Sequence, residues 1–326
     1  MDIIDKTILT SIQKGFPLAE EPFKLLSAKF NISEDELILR LKRLRDQDKV
    51  LRNICAIFDG SKLGYKSVLV AMQIDNRKKA YLISYINKLP GVSHNYERNN
   101  TYNIWFTLSL EETINIDEFI CNLSKQYSVN KFLILPSVKT YKLRVNFDLI
   151  ESETHIETIT ENVSKTDYEY SLDEQDKAII KHLQEDILLI SRPFDQMADS
   201  VKLNTSQFID RANYYIDTGI MRRYSATLRH INAGYANNAM IVWQVSENQI
   251  DKVGYQFAQK AFVSHCYRRL KHFEWPYDLY TMVHARSESD LHSYIDELYN
   301  IVNHKDYLIL ATLIEHKKER VKYFVG

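Results

Sequence analysis

The sequence has little glycine and cysteine, and it has no long apolar segment. With 8 Gly in 326 residues it contains neither GxGxxG nor GxxxxGK[ST], so the common nucleotide-phosphate loops are absent. The three cysteines are widely spaced and form no CxxC pair, so neither a disulfide framework nor a zinc site is indicated. No apolar run approaches the roughly 20 residues that span a bilayer. The first residues are acidic and unlike a signal peptide, so we expect a cytoplasmic protein without a membrane partner.

The sequence also has no excess of charge of either sign. Lys and Arg number 42 and Asp and Glu 43, so no overall field attracts the chain to nucleic acid or to a membrane surface. Hydrophobic residues make up 45%, which is typical of a globular protein, and the length allows two domain-sized cores.

The chain carries two copies of one pattern, about 171 residues apart. The clearest copied segments are Leu63–Tyr65 with Ala233–Tyr235 and Val92–Arg98 with Val263–Arg269. This spacing is far longer than a solenoid repeat and fits two copies of a domain-sized module. We therefore expect a pseudo-dimer within the chain, and the sequence leaves open whether copies assemble further.

Each copy begins with three short helical patterns and a β segment, which is typical of a winged helix-turn-helix. In the first copy, Ser33 and Glu36 are spaced as a capping box for the third helix. The rest of each copy alternates as βαββαβ, the ferredoxin-like order. The predicted fold class is therefore α+β, a tandem repeat of a winged helix-turn-helix domain and a ferredoxin-like βαββαβ domain. The expected boundaries are 1–60 and 61–150 in repeat 1, 151–172 for a polar linker, and 173–231 and 232–326 in repeat 2.

This order of elements resembles the leucine-responsive regulator (Lrp/AsnC) family, which would imply DNA binding. The charge of the helical segments opposes it, because residues 1–52 hold about ten Lys or Arg against nine Asp or Glu. The third helix of repeat 2, Thr205 to Ile216, has almost no basic side chains. Since phosphate contacts dominate affinity for DNA, DNA is not expected as a partner. A regulator that senses a tetrapyrrole or a small acid remains the alternative.

A histidine, a tyrosine and an arginine recur in the same register in both copies. On a strand, alternate residues share a face, so His94, Tyr96 and Arg98 should project together. The second set is His265, Tyr267 and Arg269. Guanidinium binds carboxylates, aromatic rings lie against a flat ligand, and imidazole coordinates metal or moves protons. We interpret the sets as a site for an anionic aromatic ligand; the alternative is a solvated sheet face with incidental polar residues.

Longer phrases around these sets resemble the siroheme decarboxylase family. They include Pro90–Arg98 and Tyr102–Thr107 in repeat 1, and Ser264–Arg269 and Trp275–Thr281 in repeat 2. The family usually occurs as two small paired subunits, and this chain resembles their fusion. The resemblance implies a carboxy-lyase that removes two acetate carboxyls of siroheme as CO2. The implied product is 12,18-didecarboxysiroheme, on the route to heme or heme d1, with no cofactor beyond the iron-containing substrate.

The resemblance also implies roles for individual residues. His94 and His265 would be proton donors or axial ligands of the siroheme iron, and Tyr96 and Tyr267 would act beside them. The residues expected to bind the substrate are Arg98, Arg268, Arg269, Arg52, Arg222, Arg223, Tyr102, Asn103, Trp105, Trp275 and Tyr277. Arg222 and Arg223 could equally lie on a solvated wing, and Trp105 could belong to the core. Family members often have a second histidine after the arginine, whereas Asn99 and Asn100 follow Arg98 here.

Overall fold

The structure, a computed structural model, describes residues 1–143, 172–229, 237–302 and 306–325. The expected linker, 151–172, lies almost entirely outside the described residues, as does the copied segment Ala233–Tyr235. The helices are α1 Ile3–Lys14, α2 Pro22–Phe30, α3 Glu34–Asp46, α4 Lys79–Lys88, α5 Ile116–Tyr127, α6 Glu174–Leu183, α7 Asp195–Ser200, α8 Thr205–Asp217, α9 Ile250–Ala258 and α10 Glu288–Ile301. The strands are β1 Leu51–Phe58, β2 Tyr65–Gln73, β3 Val92–Arg98, β4 Ile104–Glu111, β5 Lys131–Leu143, β6 Met221–Leu228, β7 Asn237–Trp243, β8 Val263–Arg269, β9 Leu279–Ala285 and β10 Tyr307–Lys318.

Local sequence signals account for where the first helices begin. Asp2 and Asp5 form a capping box at α1, and Pro22 occupies the first turn of α2, where its missing N–H costs nothing. At α3 the Ser33 hydroxyl accepts the Glu36 N–H, but the Glu36 carboxylate bonds Arg40 instead of returning to the cap. Only the first of the two hydrogen bonds of the predicted capping box, from the Glu36 N–H to the Ser33 hydroxyl, therefore forms.

The ferredoxin-like units confirm the predicted order. The sheet order is β5-β2-β4-β3 in repeat 1 and β10-β7-β9-β8 in repeat 2. The two sheets join edge to edge, β5 with β8 and β10 with β3, and close an eight-stranded barrel. Closure pairs every edge strand, so neither sheet exposes a free edge. The expected pairing of the two repeats is therefore a continuous hydrogen-bonded barrel.

The β segments after the helical units pair with each other. β1 runs antiparallel to β6, with Ala56 opposite Tyr224, and together they form a two-stranded sheet. One apolar cluster contains residues of both helical units, including Phe23 and Phe194. The two helical units thus share a single core instead of folding as separate domains.

Strand alternation separates two apolar surfaces of the barrel. On β2, Val68, Val70 and Met72 pack outward under α4 and α5 in one cluster. The alternate residues Leu69 and Ala71 belong to a different cluster, built from both repeats, inside the barrel. The lumen is therefore partly filled by side chains and is shared by the two repeats.

The residues after β10 tie the barrel to the helical units. The side-chain amide of Gln184 makes two hydrogen bonds of 2.9 Å with the backbone of Tyr323. The Phe324 N–H donates to the Tyr65 hydroxyl, and the Tyr323 ring packs edge-on against Tyr65. The residues after β10 therefore connect the barrel to the helical units and hold these units over one mouth of the barrel.

Gly91 is expected to be intolerant of any side chain. A Cβ at this position would lie 2.0 Å from the backbone oxygen of Ser109, on strand β4. Because the obstacle is backbone, Gly91→Ala should lower the free energy of unfolding by about 1–3 kcal/mol. Gly15→Ala is the matched control, since a Cβ there meets nothing within 4 Å. Urea denaturation measures both, and equal stabilities of the two variants would contradict the prediction.

Candidate active site

Strands β3 and β8 direct their repeated side chains into one large cavity. His94, Tyr96 and Arg98 on β3 line it together with their counterparts on β8. The cavity has a volume of about 1980 Å³ and extends from the barrel lumen to the β1–β6 sheet. Small-molecule pockets commonly measure about 300–1,000 Å³, so this one is large enough for a macrocycle. The two sets therefore belong to one site.

The two histidines have the same local geometry. His94 Nδ1 lies 2.9 Å from the hydroxyl of Ser93, and His265 Nδ1 lies 2.8 Å from that of Ser264. Among the described residues no protein group hydrogen-bonds either Nε2. The serine hydroxyls thus fix both rings and leave each Nε2 to face the cavity. Each ring centroid is 6.0 Å from that of the tyrosine two residues on.

Burial and neighbouring cations keep both imidazoles neutral. Burial lowers the pKa of His94 to about 4, and the charges of Lys318, Arg52 and Arg98 add to the effect. Burial likewise lowers the pKa of His265 to about 3, with contributions from His94 and Lys318. At neutral pH both rings therefore carry a lone pair, which is the form that coordinates metal ions.

The arginines are held in equivalent positions by β10 and β5, the strands through which each sheet joins the other. Arg98 donates to the carbonyl oxygen of Leu310 at 2.6 Å, and Arg269 donates to that of Leu135 at 2.7 Å. The Arg98 guanidinium lies 5.0 Å from the Tyr96 ring centroid, and the corresponding distance in repeat 2 is 5.2 Å. The phenols remain protonated, because burial raises the pKa of both tyrosines above the ordinary value.

The cavity is positively charged although the chain is almost neutral. Ten of the lining residues are Lys or Arg, and three are Asp or Glu. Burial lowers the pKa of Arg98 to about 10, so its side chain still carries a charge at neutral pH. In the described ranges no carboxylate lies within ion-pair distance of Arg98 or Arg269, and the Nε of each has no hydrogen-bond partner. A buried charge without a counter-ion is costly, so this arrangement favours an anionic ligand.

The β1–β6 sheet contributes further cations at the mouth. Arg52 donates to the backbone oxygen of Lys318, and Arg222 forms an ion pair with Asp59 at 2.9 Å. Both arginines line the cavity. The helical units thus cover the mouth and add positive charge there.

Two family models match both repeats. The AsnC-like ligand binding domain matches residues 62–142 and 232–317. The siroheme decarboxylase NirDL-like HTH domain matches residues 5–52 and 176–222. The matched segments fall on the four units of the tandem repeat.

Relatives match the chain over nearly its whole length. The siroheme decarboxylase of Hydrogenobacter thermophilus is 34% identical over 319 residues, covering 97% of this chain and 94% of that protein. The chain belongs to the siroheme decarboxylase family. The siroheme decarboxylase alpha subunit of Desulfovibrio desulfuricans is 37% identical over 45% of this chain and 84% of its own length, as expected for a fused form. A crystal structure of the siroheme decarboxylase NirDL in co-complex with an iron-uroporphyrin III analogue is 29% identical, with a TM-score of 0.76 over 99% of this chain and 95% of that one.

Several residues proposed from the siroheme decarboxylase resemblance lie away from the cavity. Arg268 points to the other face of β8 and pairs with Glu247, because neighbouring residues on a strand alternate. Arg223 is likewise absent from the cavity wall, whereas Arg222 lines it. A role for Arg268 or Arg223 in direct substrate contact therefore stays a prediction that this geometry does not support.

The residues after β3 also have structural roles. Asn103 bonds the backbone of Ile74 through both atoms of its amide, at 2.9 and 3.1 Å. The Tyr102 hydroxyl bonds Glu274, and the Tyr277 hydroxyl bonds Asp306. None of these three residues lines the cavity, so they support the strands around the site.

The aromatic wall differs from the predicted one. Trp105 lines the cavity opposite Tyr96, and the residue paired with Tyr267 in repeat 2 is Tyr280. Trp275 lies behind them, where it contacts the Trp105 ring and donates to the Tyr280 hydroxyl at 2.8 Å. Trp275 is the substrate contact expected from the sequence, and Tyr280 is not among the expected residues. Tyr280 occupies the position opposite Tyr267 that Trp105 occupies opposite Tyr96, so pairing the strands of both repeats in the same register would have identified it.

Asn99 and Asn100, which follow Arg98 where family members often have a second histidine, shape the β3–β4 turn. Asn99 accepts the backbone N–H of Ala311, and Asn100 accepts that of Tyr102. Besides His94, two imidazoles of repeat 2 line the cavity, those of His265 and His284. In the part of the chain that the structure describes, no group of three or more His, Cys, Asp or Glu could hold a metal ion, and no helix has the length and apolarity to cross a bilayer.

The lowered histidine pKa values predict acid sensitivity of the ligand-free protein. On unfolding, each imidazole returns to a pKa near 6.5, so between about pH 6.5 and pH 4 the unfolded state binds more protons than the folded state. Stability should therefore fall as the pH is lowered through this window, by about 1–3 kcal/mol for each ring. Urea denaturation at pH 7 and pH 4.5 measures this. The double variant His94→Asn/His265→Asn should lose less stability on acidification than the wild type, and an equal loss would contradict the prediction.

Proposed function

We propose that the chain is a siroheme decarboxylase that converts siroheme to 12,18-didecarboxysiroheme. The observation that carries the proposal is the pair of imidazole–phenol–guanidinium sets facing one large cationic cavity. The buried guanidiniums of Arg98 and Arg269, which have no ion-pair partner among the described residues, suit a polyanion, and the aromatic residues beside them suit a flat ring system. Membership of the family supports the same substrate.

The proposed chemistry needs no redox partner. Each acetate loses its carboxylate as CO2, the bond electrons pass to the methylene carbon and into the macrocycle, and a proton then gives a methyl group. The chain's part is to orient an acetate, exclude water and supply the proton. Arg98 and Arg269 would hold carboxylates, Tyr96 and Tyr267 would position the reacting acetate, and Trp105 and Tyr280 would pack on the ring.

The histidines are proposed to serve as iron ligands or proton donors. In the ligand-free protein both imidazoles are neutral, which suits coordination of iron through Nε2. Substrate carboxylates near a ring would raise its pKa, because an opposite charge favours the protonated form. The ring that does not hold iron could then deliver the proton.

A regulatory role at DNA is less well supported by the helical units. Arg40 and Arg43 on α3 both form ion pairs with the buried carboxylate of Asp5. On α8, Arg211 pairs with Asp176 in the same way. We also propose a cytoplasmic location, for which the absence of disulfides among the three cysteines is the support.

The test is anaerobic incubation of the purified chain with siroheme, followed by mass spectrometry of the tetrapyrrole. Loss of two CO2 supports the decarboxylase. A changed absorption spectrum without loss of mass would overturn it in favour of a tetrapyrrole sensor, and neither change would overturn both.

A further inference from the structure

The two halves of the cavity differ at β10 and β5. We call these the seam strands, because each pairs with a strand of the other repeat and so closes the barrel. In the repeat 1 half, β10 pairs with β3, which places Lys318 opposite His94 and Glu315 opposite Tyr96. The Lys318 ammonium lies 3.8 Å from the Glu315 carboxylate and lines the cavity. A charged pair therefore flanks the imidazole and phenol of this half.

The repeat 2 half has no such pair in the equivalent places. There β5 pairs with β8, which places Leu143 opposite His265 and Thr140 opposite Tyr267. The two seams have equivalent registers, with irregularities at corresponding positions of β5 and β10. The difference is therefore one of side chains on a common backbone.

The surroundings of Lys318 suit an anionic ligand. Its backbone oxygen accepts a hydrogen bond from Arg52, which fixes this end of β10. Its side chain is mostly buried, and its charge acts on the imidazoles of both His94 and His265. An ammonium has three donors, so a ligand carboxylate can bind Lys318 beside its existing contacts, which include Glu315 at 3.8 Å.

We propose that Lys318 binds an acetate carboxylate of the tetrapyrrole in the repeat 1 half, and so gives the ring a preferred orientation in the pseudo-symmetric cavity. The inference rests on the proposed function. In the repeat 2 half, Leu143 and Thr140 stand in the equivalent places, and the cavity-lining Lys142 of that seam donates to the backbone oxygen of Lys260 at 2.6 Å. That half therefore offers the ring a differently placed cation. Lys318 is therefore a specificity residue that distinguishes acetate from methyl substituents.

The test compares iron uroporphyrin III with iron coproporphyrin III, which carries methyl groups in place of the acetates and keeps the propionates. Binding to the full chain is followed by titration of the porphyrin absorbance. Lys318→Leu, which installs the residue of the other seam, should weaken binding of the uroporphyrin by about 10- to 100-fold. It should change binding of the coproporphyrin by less than about threefold, because that ligand lacks the acetates. Lys318→Arg should retain the preference for uroporphyrin.

The matched control is Lys131→Leu, which removes the same charge from the other seam strand at a position outside the cavity lining. Lys131 is already paired with Glu274 at 2.5 Å, so both porphyrins should bind this variant as they bind the wild type. Equal weakening of the two porphyrins by Lys318→Leu would show a general field effect and overturn the inference. Unchanged binding of both would overturn it as well.

Turnover separates this inference from the proposed function. If the wild type releases no CO2 from siroheme, the function fails, while the selective loss of uroporphyrin binding is still measured independently. If the wild type is active, Lys318→Leu should raise KM by about tenfold and change kcat much less. An active Lys318→Leu with unchanged KM would overturn the inference and leave the function standing.

Discussion

Replacing His265 or His94 by alanine should lower the rate of siroheme decarboxylation by at least about 100-fold, the lower end of what proton transfer by a positioned side chain contributes. Each Nε2 faces the cavity without a described protein partner, and each Nδ1 is fixed by a neighbouring serine. Loss of one ring removes either the proposed iron ligand or the proposed proton donor, so we expect each variant to be impaired. The measurement is CO2 release or product mass under anaerobic conditions.

The same variants assign the two roles. The variant that has lost the iron ligand should show a changed absorption spectrum of bound iron uroporphyrin III, and the other variant should bind it with the wild-type spectrum. His292→Ala is the control, because His292 lies exposed on α10, where its ring bonds only the Glu288 carbonyl. Wild-type turnover by either cavity variant would show that the imidazoles are not part of the machinery.

Much of this site could be predicted from local sequence. The period of two on a strand places His94, Tyr96 and Arg98 on one face, and the repeat transfers that prediction to β8. The same period should have excluded Arg268, which is next to Arg269 and must therefore point to the opposite face. Local patterns are sufficient here because the face to which a side chain points depends only on its position along its own strand.

The contacts between the repeats could not be predicted in this way. Lys318 reaches His94 only because β10 pairs with β3, more than 200 residues away in sequence. Such a pairing depends on which sheet edges meet, and neither residue type nor period encodes it. Tyr280 was missed for the related reason that its position follows from the register between β8 and β9.

The fold also gives the helical units a role other than DNA binding, in a chain whose formal net charge is −1. Their two β segments form the sheet over the barrel mouth, and Arg40 and Arg43 of α3 are paired with Asp5. Arg52 and Arg222 reach the cavity from this sheet. The units therefore work as a cover of the site and as a source of cations for it.

Replacing Arg98 by methionine should have opposite effects on stability and on binding. Arg98 is 4% exposed and has no described carboxylate partner, so the ligand-free protein bears the cost of burying its charge. A methionine of similar length removes that cost, and the free energy of unfolding should stay unchanged or rise by up to about 2 kcal/mol. Binding of iron uroporphyrin III should weaken by about 100-fold or more, because a buried charge-assisted contact to a carboxylate is lost.

Urea denaturation and porphyrin titration measure the two effects on the same preparation. Arg77→Met is the matched control, since the Arg77 side chain is 90% exposed and pairs only with Asp75; both quantities should stay close to the wild-type values. If Arg98→Met instead lost more than about 2 kcal/mol of stability, the hydrogen bonds to Leu310 and Thr312 would be its main purpose. If stability and binding were both unchanged, the guanidinium would play no part in holding the anion. A stable variant that no longer binds the porphyrin would show that the folded protein maintains a buried charge, without a described carboxylate partner, for its ligand.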